Sequence, residues 1–243
     1  MLSDDPERLP LSGTERQFQL YSSFISQGSL VFDVGANVGN RIEAMLRCCA
    51  RVVAIEPQPD CIAILTHRYA KDRRVALVEA AVGATCGRAD LFRARSIDPA
   101  ASLSHDFIVR TRQSGRFSRS YNCKMSVAIV TLDDLIATHG YPAFVKVDVE
   151  GYEERVLAGL SQGVDVLSFE WTPECFEQSS LCLSRCEALE MPFFQLSFGE
   201  SMRFCHPASI YRHDMEQLLR SLADENVLFG DIYASKQPLT NPP

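Results

Sequence analysis

The chain lacks several features that would assign it at sight. No apolar run reaches 18 residues, so nothing reads as a membrane span. It opens Met-Leu-Ser-Asp-Asp, without a basic stretch leading into an apolar core, and a secretory leader is not expected. Nine cysteines are present, but no two stand as CxxC, and an odd, scattered set offers no disulfide framework. Buried free thiols in a reducing cytoplasm are the simplest reading. Positive charge is also short. With 24 Lys and Arg against 31 Asp and Glu the net charge is −7, which argues against a general nucleic-acid binder.

What is there fits an α/β domain. At 243 residues and 46% hydrophobic, the chain is long and apolar enough to bury a full core. Residues 14–27 read as an amphipathic helix carrying Phe18, Tyr21, Phe24 and Ile25, with Thr14 and Gln17 as a capping box. Strands at 30–34, 51–56 and 75–81 alternate with helices at 39–49 and 59–70, a βαβαβ half with parallel strands. The alternation resumes with strands 143–149, 164–171, 193–198 and 226–234 and helices 152–160, 175–190 and 213–224. The last two strands are expected to form an antiparallel edge. This divides the chain into an N-terminal helical extension (1–28), a main domain (29–235) and a flexible tail (236–243).

Between the halves lies a different stretch. Short strands at 89–93 and 127–130 and a short helix at 132–137 flank about 30 polar residues expected to be irregular. From Arg93 to Lys124 there are six arginines and one lysine against two aspartates. Such a segment either faces an anionic substrate or is a solvated loop, the commoner case. It is also positioned to act as a lid over an acceptor site.

Chemistry concentrates at strand ends. Val31 to Gly39 (VFDVGANVG) is a buried strand that ends in Asp33 and breaks into a turn with Gly35 and Gly39. In an open parallel sheet ligands bind at that edge, and glycine lets the backbone approach them. The next strand ends in Glu56-Pro57, about 20 residues after the first turn, where a carboxylate suits ribose hydroxyls. A dinucleotide fingerprint needs G-x-G-x-x-G, but Asn37 and Asn40 stand at its third and sixth positions. Asp33 would repel a pyrophosphate and attract an ammonium. The pattern therefore favours S-adenosyl-L-methionine over NAD.

The fourth strand ends in Asp148-Val-Glu150-Gly151, and the fifth in Glu170-Trp171. Asp148 and Glu150 are two apart and share a strand face. Asp148, Glu150 and Glu170 are candidates for the base that takes a proton from an acceptor hydroxyl. Glu150 has a plainer alternative, capping the positive end of the following helix. The three acids would also suit a hard divalent cation, though no spacing demands one and no metal is expected. Cys175, Cys182, Cys186 and Cys205 are a weaker candidate for zinc. His105, His206 and His213 are at most peripheral contacts.

Taken together, VFDVGANVG, Ala54 to Pro57 (AIEP), Glu79 to Gly83 (EAAVG), Val130 to Leu135 (VTLDDL) and Val145 to Gly151 (VKVDVEG) resemble the FkbM family of S-adenosylmethionine-dependent methyltransferases. The resemblance runs from about residue 29 to 171 and more loosely to 234. It implies a class I methyltransferase fold, Rossmann-like, with a seven-stranded mostly parallel sheet, helices on both faces and an antiparallel edge strand. It also implies methylation of a hydroxyl oxygen on a small molecule, natural product or glycan. Asp33, Gly35, Asn37 and Gly39 would then line the methionine part of the cofactor, Glu56 and Pro57 the ribose, and Ala80 and Ala81 the adenine. Asp148 would sit near the transferring methyl, and Ser102-Leu103-Ser104 would match a Ser-rich stretch that the family carries. A homodimer is allowed. The rival readings are a Rossmann-like enzyme using NAD or a nucleotide sugar, and a cofactor-binding domain without catalysis.

Overall fold

The computed structural model describes residues 11–116, 120–223 and 229–242. The expectations placed on residues 1–10, on Arg119 and on the start of the last strand (226–228) lie outside the described residues. In chain order the elements are α1 (Gly13–Tyr21), β1 (Leu30–Val34), α2 (Ile42–Arg47), β2 (Arg51–Ile55), α3 (Pro59–Tyr69), β3 (Val75–Val78), β4 (Ala81–Val82) and β5 (Gly87–Arg93). Then follow α4 (His105–Gln113), β6 (Cys123–Val130), α5 (Leu132–His139), β7 (Phe144–Val147), α6 (Glu153–Ala158), β8 (Val166–Trp171), α7 (Phe176–Ala188), β9 (Phe193–Phe198), α8 (Arg212–Ala223) and β10 (Gly230–Ser235).

Seven strands form one sheet in the order β3-β2-β1-β7-β8-β10-β9. Six run in one direction and β10 runs against both of its neighbours, so the reversed strand lies one place in from the edge. β1 is buried along its whole length, as a central strand covered on both faces must be. Phe32, Val34, Val145, Leu167 and Phe169 face one apolar layer, and Val31, Val52, Ala54, Phe144 and Tyr233 face the other. Each such side chain contributes roughly 1.5–3 kcal/mol on burial, and the two layers hold the strand ends in fixed register.

Two expectations need correction. α1 begins earlier and stops sooner than the 14–27 reading. Its cap is Ser12, whose hydroxyl accepts the Glu15 N–H at 3.2 Å, not Thr14. At its end Ser22 and Ser23 turn their hydroxyls onto the carbonyls of Gln19 and Leu20, while Ile25 still reaches the core without being helical. The 93–124 stretch is also not irregular throughout. β5 and β6 pair in register from Gly87↔Ile129 to Arg93↔Cys123, making a small second sheet with β4. Their connection folds as α4, capped by Ser104, whose hydroxyl accepts the Phe107 N–H at 3.1 Å.

Candidate active site

A cavity of about 800 Å³ opens at the carboxyl ends of β1, β2, β7 and β8, where a parallel sheet binds ligands. Its wall includes Asp33, Gly35, Asn37, Glu56, Pro57, Ala80 and Ala81 from the ends of β1 and β2 and the segment after β3, and Asp148, Glu150 and Glu170 from the ends of β7 and β8. Gly39 is not among its lining residues; an added Cβ there would meet Leu65, Ile42 and Tyr69. Gly35 is required sterically. Its φ is +84° and an added Cβ would lie 1.9 Å from the Asp148 carbonyl oxygen, so the first turn and the end of β7 touch only because that side chain is absent.

At the β1 and β2 ends, Glu56 is 3% exposed and each of its oxygens is occupied. Oε2 accepts the Asn37 N–H and Oε1 the Gln58 N–H, each at 2.9 Å, so one carboxylate ties two strand-end turns together. Beneath it Gln58 and Asp98 exchange side-chain-to-backbone bonds at 3.0 Å in both directions. Asp33 is different. It is 2% exposed, and its Oδ2 has no hydrogen-bond partner. Burial pushes its carboxyl up to about 6, opposed by Lys146 and Arg41 and reinforced by Asp148.

At the β7 and β8 ends the sheet register gathers charge. Asp33 pairs with Lys146 across β1 and β7, and Asp231 with Glu170 across β10 and β8. The Lys146 ammonium is buried, donating to Asp148 at 2.9 Å and to Asp231 at 3.4 Å. Burial opposes the Lys146 charge, but the two carboxylates outweigh it. Burial also works to raise Asp148, yet Lys146 holds its carboxyl below the usual carboxylate range. Glu170 goes the other way, raised well above that range by burial and then by Glu150 and Asp148.

Asp148, Glu150 and Glu170 each offer a carboxylate oxygen within 4.8 Å of the other two. Charges at that separation repel by roughly 3 kcal/mol per pair at an effective dielectric near 20, so the cluster favours taking up a proton or a cation. The turn that carries Glu150 is left-handed there (φ +57°) and is held from two sides. Val149 and Gly151 N–H donate to Glu153 Oε1 at 3.2 Å, and the Ser102 hydroxyl donates to the Glu150 carbonyl at 2.6 Å. Glu153, not Glu150, takes the amides of this turn, and it is buried and raised to about 7 by burial.

Residues 33–221 match the methyltransferase FkbM domain, a span that carries both sides of this cavity. The chain belongs to the FkbM methyltransferase family. This FkbM protein is therefore an S-adenosylmethionine-dependent methyltransferase, and NAD and nucleotide-sugar readings fall away. No curated protein matches it in sequence. Among solved structures it is similar to precorrin-6y C5,15-methyltransferase from Geobacter metallireducens GS-15 (15% identity, 96% of each chain, TM-score 0.46). It is also similar to a SAM-dependent O-methyltransferase from Thermotoga maritima (11% identity, 96% of this chain and 68% of that one, TM-score 0.43). A third is an rRNA methylase from Streptococcus thermophilus (10% identity, 94% and 99%, TM-score 0.43).

The cavity of this methyltransferase fits its cofactor. The orphaned Asp33 oxygen suits an ammonium, Glu56 and its turn suit ribose, and the Ala80–Val82 wall is apolar. Arg41, Gln58, Asp98, Lys146, Glu200 and Asp231 also line the cavity and were not singled out from sequence. Lys146 did carry a signal, a lone lysine in an apolar strand. The basic segment is largely neutralised within the protein. Arg93 pairs with Asp60, Arg110 with Glu177, Lys124 with Asp90, and Arg116 takes Glu174 in a fork of two 3.0 Å bonds. Among the described residues the three acids are the only metal-capable group, and the four cysteines do not assemble. No helix among them is long and apolar enough to cross a membrane.

Proposed function

We propose that this FkbM methyltransferase methylates a hydroxyl oxygen on a small molecule or sugar. The observation that carries the reading is the convergence of Asp148, Glu150 and Glu170 in the same cavity as Asp33 and Glu56. Bound S-adenosylmethionine supplies an electrophilic methyl carbon on a sulfonium, so the protein has to align an acceptor, exclude water and receive one proton. Asp148, kept ionised by Lys146, orients the acceptor hydroxyl by accepting its hydrogen bond. Glu150 and Glu170 share the task of receiving the proton as the new carbon–oxygen bond forms. Burial, and then repulsion from Glu150, raises the proton affinity of Glu170 toward the working range of a base.

Leu103, Phe107, Gly115 and Arg116 bring the 93–124 segment onto the acceptor side as a cover, which supports a small, enclosed acceptor. The acid-lined wall disfavours a phosphate backbone. The test is incubation with methyl-labelled S-adenosylmethionine and separate panels of polyols, sugars, amines and an RNA oligonucleotide, with and without EDTA. Labelled methyl ether from a hydroxylated small molecule, insensitive to EDTA, is the expected result. Label on nitrogen, carbon or RNA would overturn the oxygen assignment. Loss of transfer with EDTA would replace the shared proton by a divalent cation, and no transfer to any panel would favour a binding domain.

A further inference from the structure

The methionine end of the cofactor carries an ammonium and a carboxylate, and the carboxylate has no counterpart in the residues discussed so far. Three cations line the cavity: Lys146, Arg116 and Arg41. Lys146 is enclosed between Asp148 and Asp231. Arg116 lies on the acceptor side, locked to Glu174 with both side chains at most 15% exposed. Arg41 closes the turn that starts at Asp33, and it is among the charges that act on the Asp33 carboxyl.

The partner of Arg41 is unlike the other two. Glu200 meets its guanidinium as a fork, Nη1 to Oε2 and Nη2 to Oε1, both at 2.7 Å. Arg41 is 12% exposed in its side chain and Glu200 is 54% exposed. Arg41 is also fixed from behind. With its carboxamide oriented to satisfy both neighbours, Gln17 of α1 accepts from Arg41 Nη1 and donates to the Asn40 carbonyl at 3.2 Å. Glu200 follows Gly199 (φ +47°) in the turn after β9; among the described residues its side chain bonds only to Arg41, while its carbonyl accepts Arg16 Nε at 3.3 Å. A fixed guanidinium is thus held in a bidentate fork by a carboxylate that stands half in water, so that carboxylate can hydrate if another takes its place. A free carboxylate of the right reach matches the same planar fork.

We propose that Arg41 binds the carboxylate of S-adenosylmethionine and that Glu200 is an internal competitor for that fork. The inference rests on the cofactor assignment of the same cavity. Asp33 and Arg41 then divide the amino-acid end between them, one taking each charge. Glu200 leaves for solvent when the cofactor's carboxylate arrives, and its loop reports occupancy at the mouth of the cavity.

The test is calorimetric titration of the full chain and its variants with S-adenosylmethionine, S-adenosylhomocysteine and 5′-methylthioadenosine, which lacks the amino acid. Glu200→Gln should tighten the first two ligands about threefold to tenfold, by removing the competitor. Arg41→Gln should weaken them at least tenfold, with Arg41→Lys between, because it keeps the charge and loses the fork. Neither change should move 5′-methylthioadenosine more than about twofold. Equal weakening of all three ligands by Arg41→Gln would make the residue a strut and overturn the proposal. So would weaker S-adenosylmethionine binding in a Glu200→Gln variant whose melting temperature is unchanged. Failure of the unaltered protein to bind any of the three would instead overturn the cofactor reading beneath it.

Discussion

The two sides of the cavity treat buried carboxylates in opposite ways. Glu56, on the cofactor side, has each oxygen occupied by a backbone N–H and holds two turns in place. Asp148, Glu150 and Glu170, on the acceptor side, face one another, with Lys146 the only buried ammonium among them. A carboxylate satisfied by main chain is a fixed fitting that any ligand must accept as it stands. Carboxylates that oppose each other form a store of electrostatic free energy, released when a proton, a cation or a polar acceptor enters. The first arrangement suits a constant cofactor, and the second suits a reaction.

The largest expected effect breaks the acceptor side. Lys146→Met keeps the approximate length of the side chain and removes the ammonium that bridges Asp148 and Asp231. Leaving buried carboxylates without a counter-charge costs about 3–5 kcal/mol, and the lower end applies because the Asp148 side chain is 33% exposed and can hydrate. Urea unfolding at neutral pH should therefore show about 3 kcal/mol lost, with the slope unchanged. A loss below about 1 kcal/mol would mean that the two carboxylates relax into water and that the cluster stores little.

The next effect tests the cofactor side. Glu56→Ala removes the carboxylate expected to hold the ribose together with the acceptor for two turn amides, and S-adenosylmethionine affinity should fall on the order of 100-fold by calorimetry. If the contrast holds, Glu56→Ala changes binding far more than Lys146→Met does, whereas Lys146→Met changes stability far more. Similar profiles for the two variants would dissolve the distinction.

The same contrast explains what could be read in the chain before folding. Asp33, Glu56 and Gly35 belong to strand–turn–helix units in which a few consecutive residues dictate the local backbone, so their positions follow from spacing. The sheet follows too, since apolar runs alternating with helical segments leave few topologies open. Arg41, Glu200 and Asp231 were illegible because the cavity collects them from a loop, a turn after β9 and an antiparallel strand, separated by up to 190 residues. Glu153 shows a subtler failure. The turn it caps was recognised, but the sequence offers two acids three apart, and only packing decides that the second takes the amides while the first faces the cavity. Likewise α4 was concealed in a polar stretch whose helical face buries chiefly Phe107 and Thr111, too little apolar periodicity to register.

The smallest expected effect concerns Asp33, where the two treatments meet: a buried carboxylate on the cofactor side, with one oxygen left unsatisfied. Its carboxyl is raised to about 6 by burial, above the ordinary 3.8, so the folded protein holds a proton there that the unfolded chain has released. Stability from this group therefore falls as pH rises from about 4 to about 6, and the cost is fully present at pH 7. Asp33→Asn removes that cost. It should stabilise the protein at pH 7 by on the order of 1–2 kcal/mol and make no difference near pH 4. The same substitution should weaken S-adenosylmethionine, because a carboxamide does not neutralise an ammonium. In the unaltered protein, affinity should drop as pH falls below about 6, and in Asp33→Asn that dependence should flatten. A variant both more stable and less able to bind would identify the unpaired oxygen as strain kept for the ligand. A variant less stable at pH 7 would show that the Asp33 charge is already balanced by Lys146 and Arg41, placing it with the self-contained network of the acceptor side.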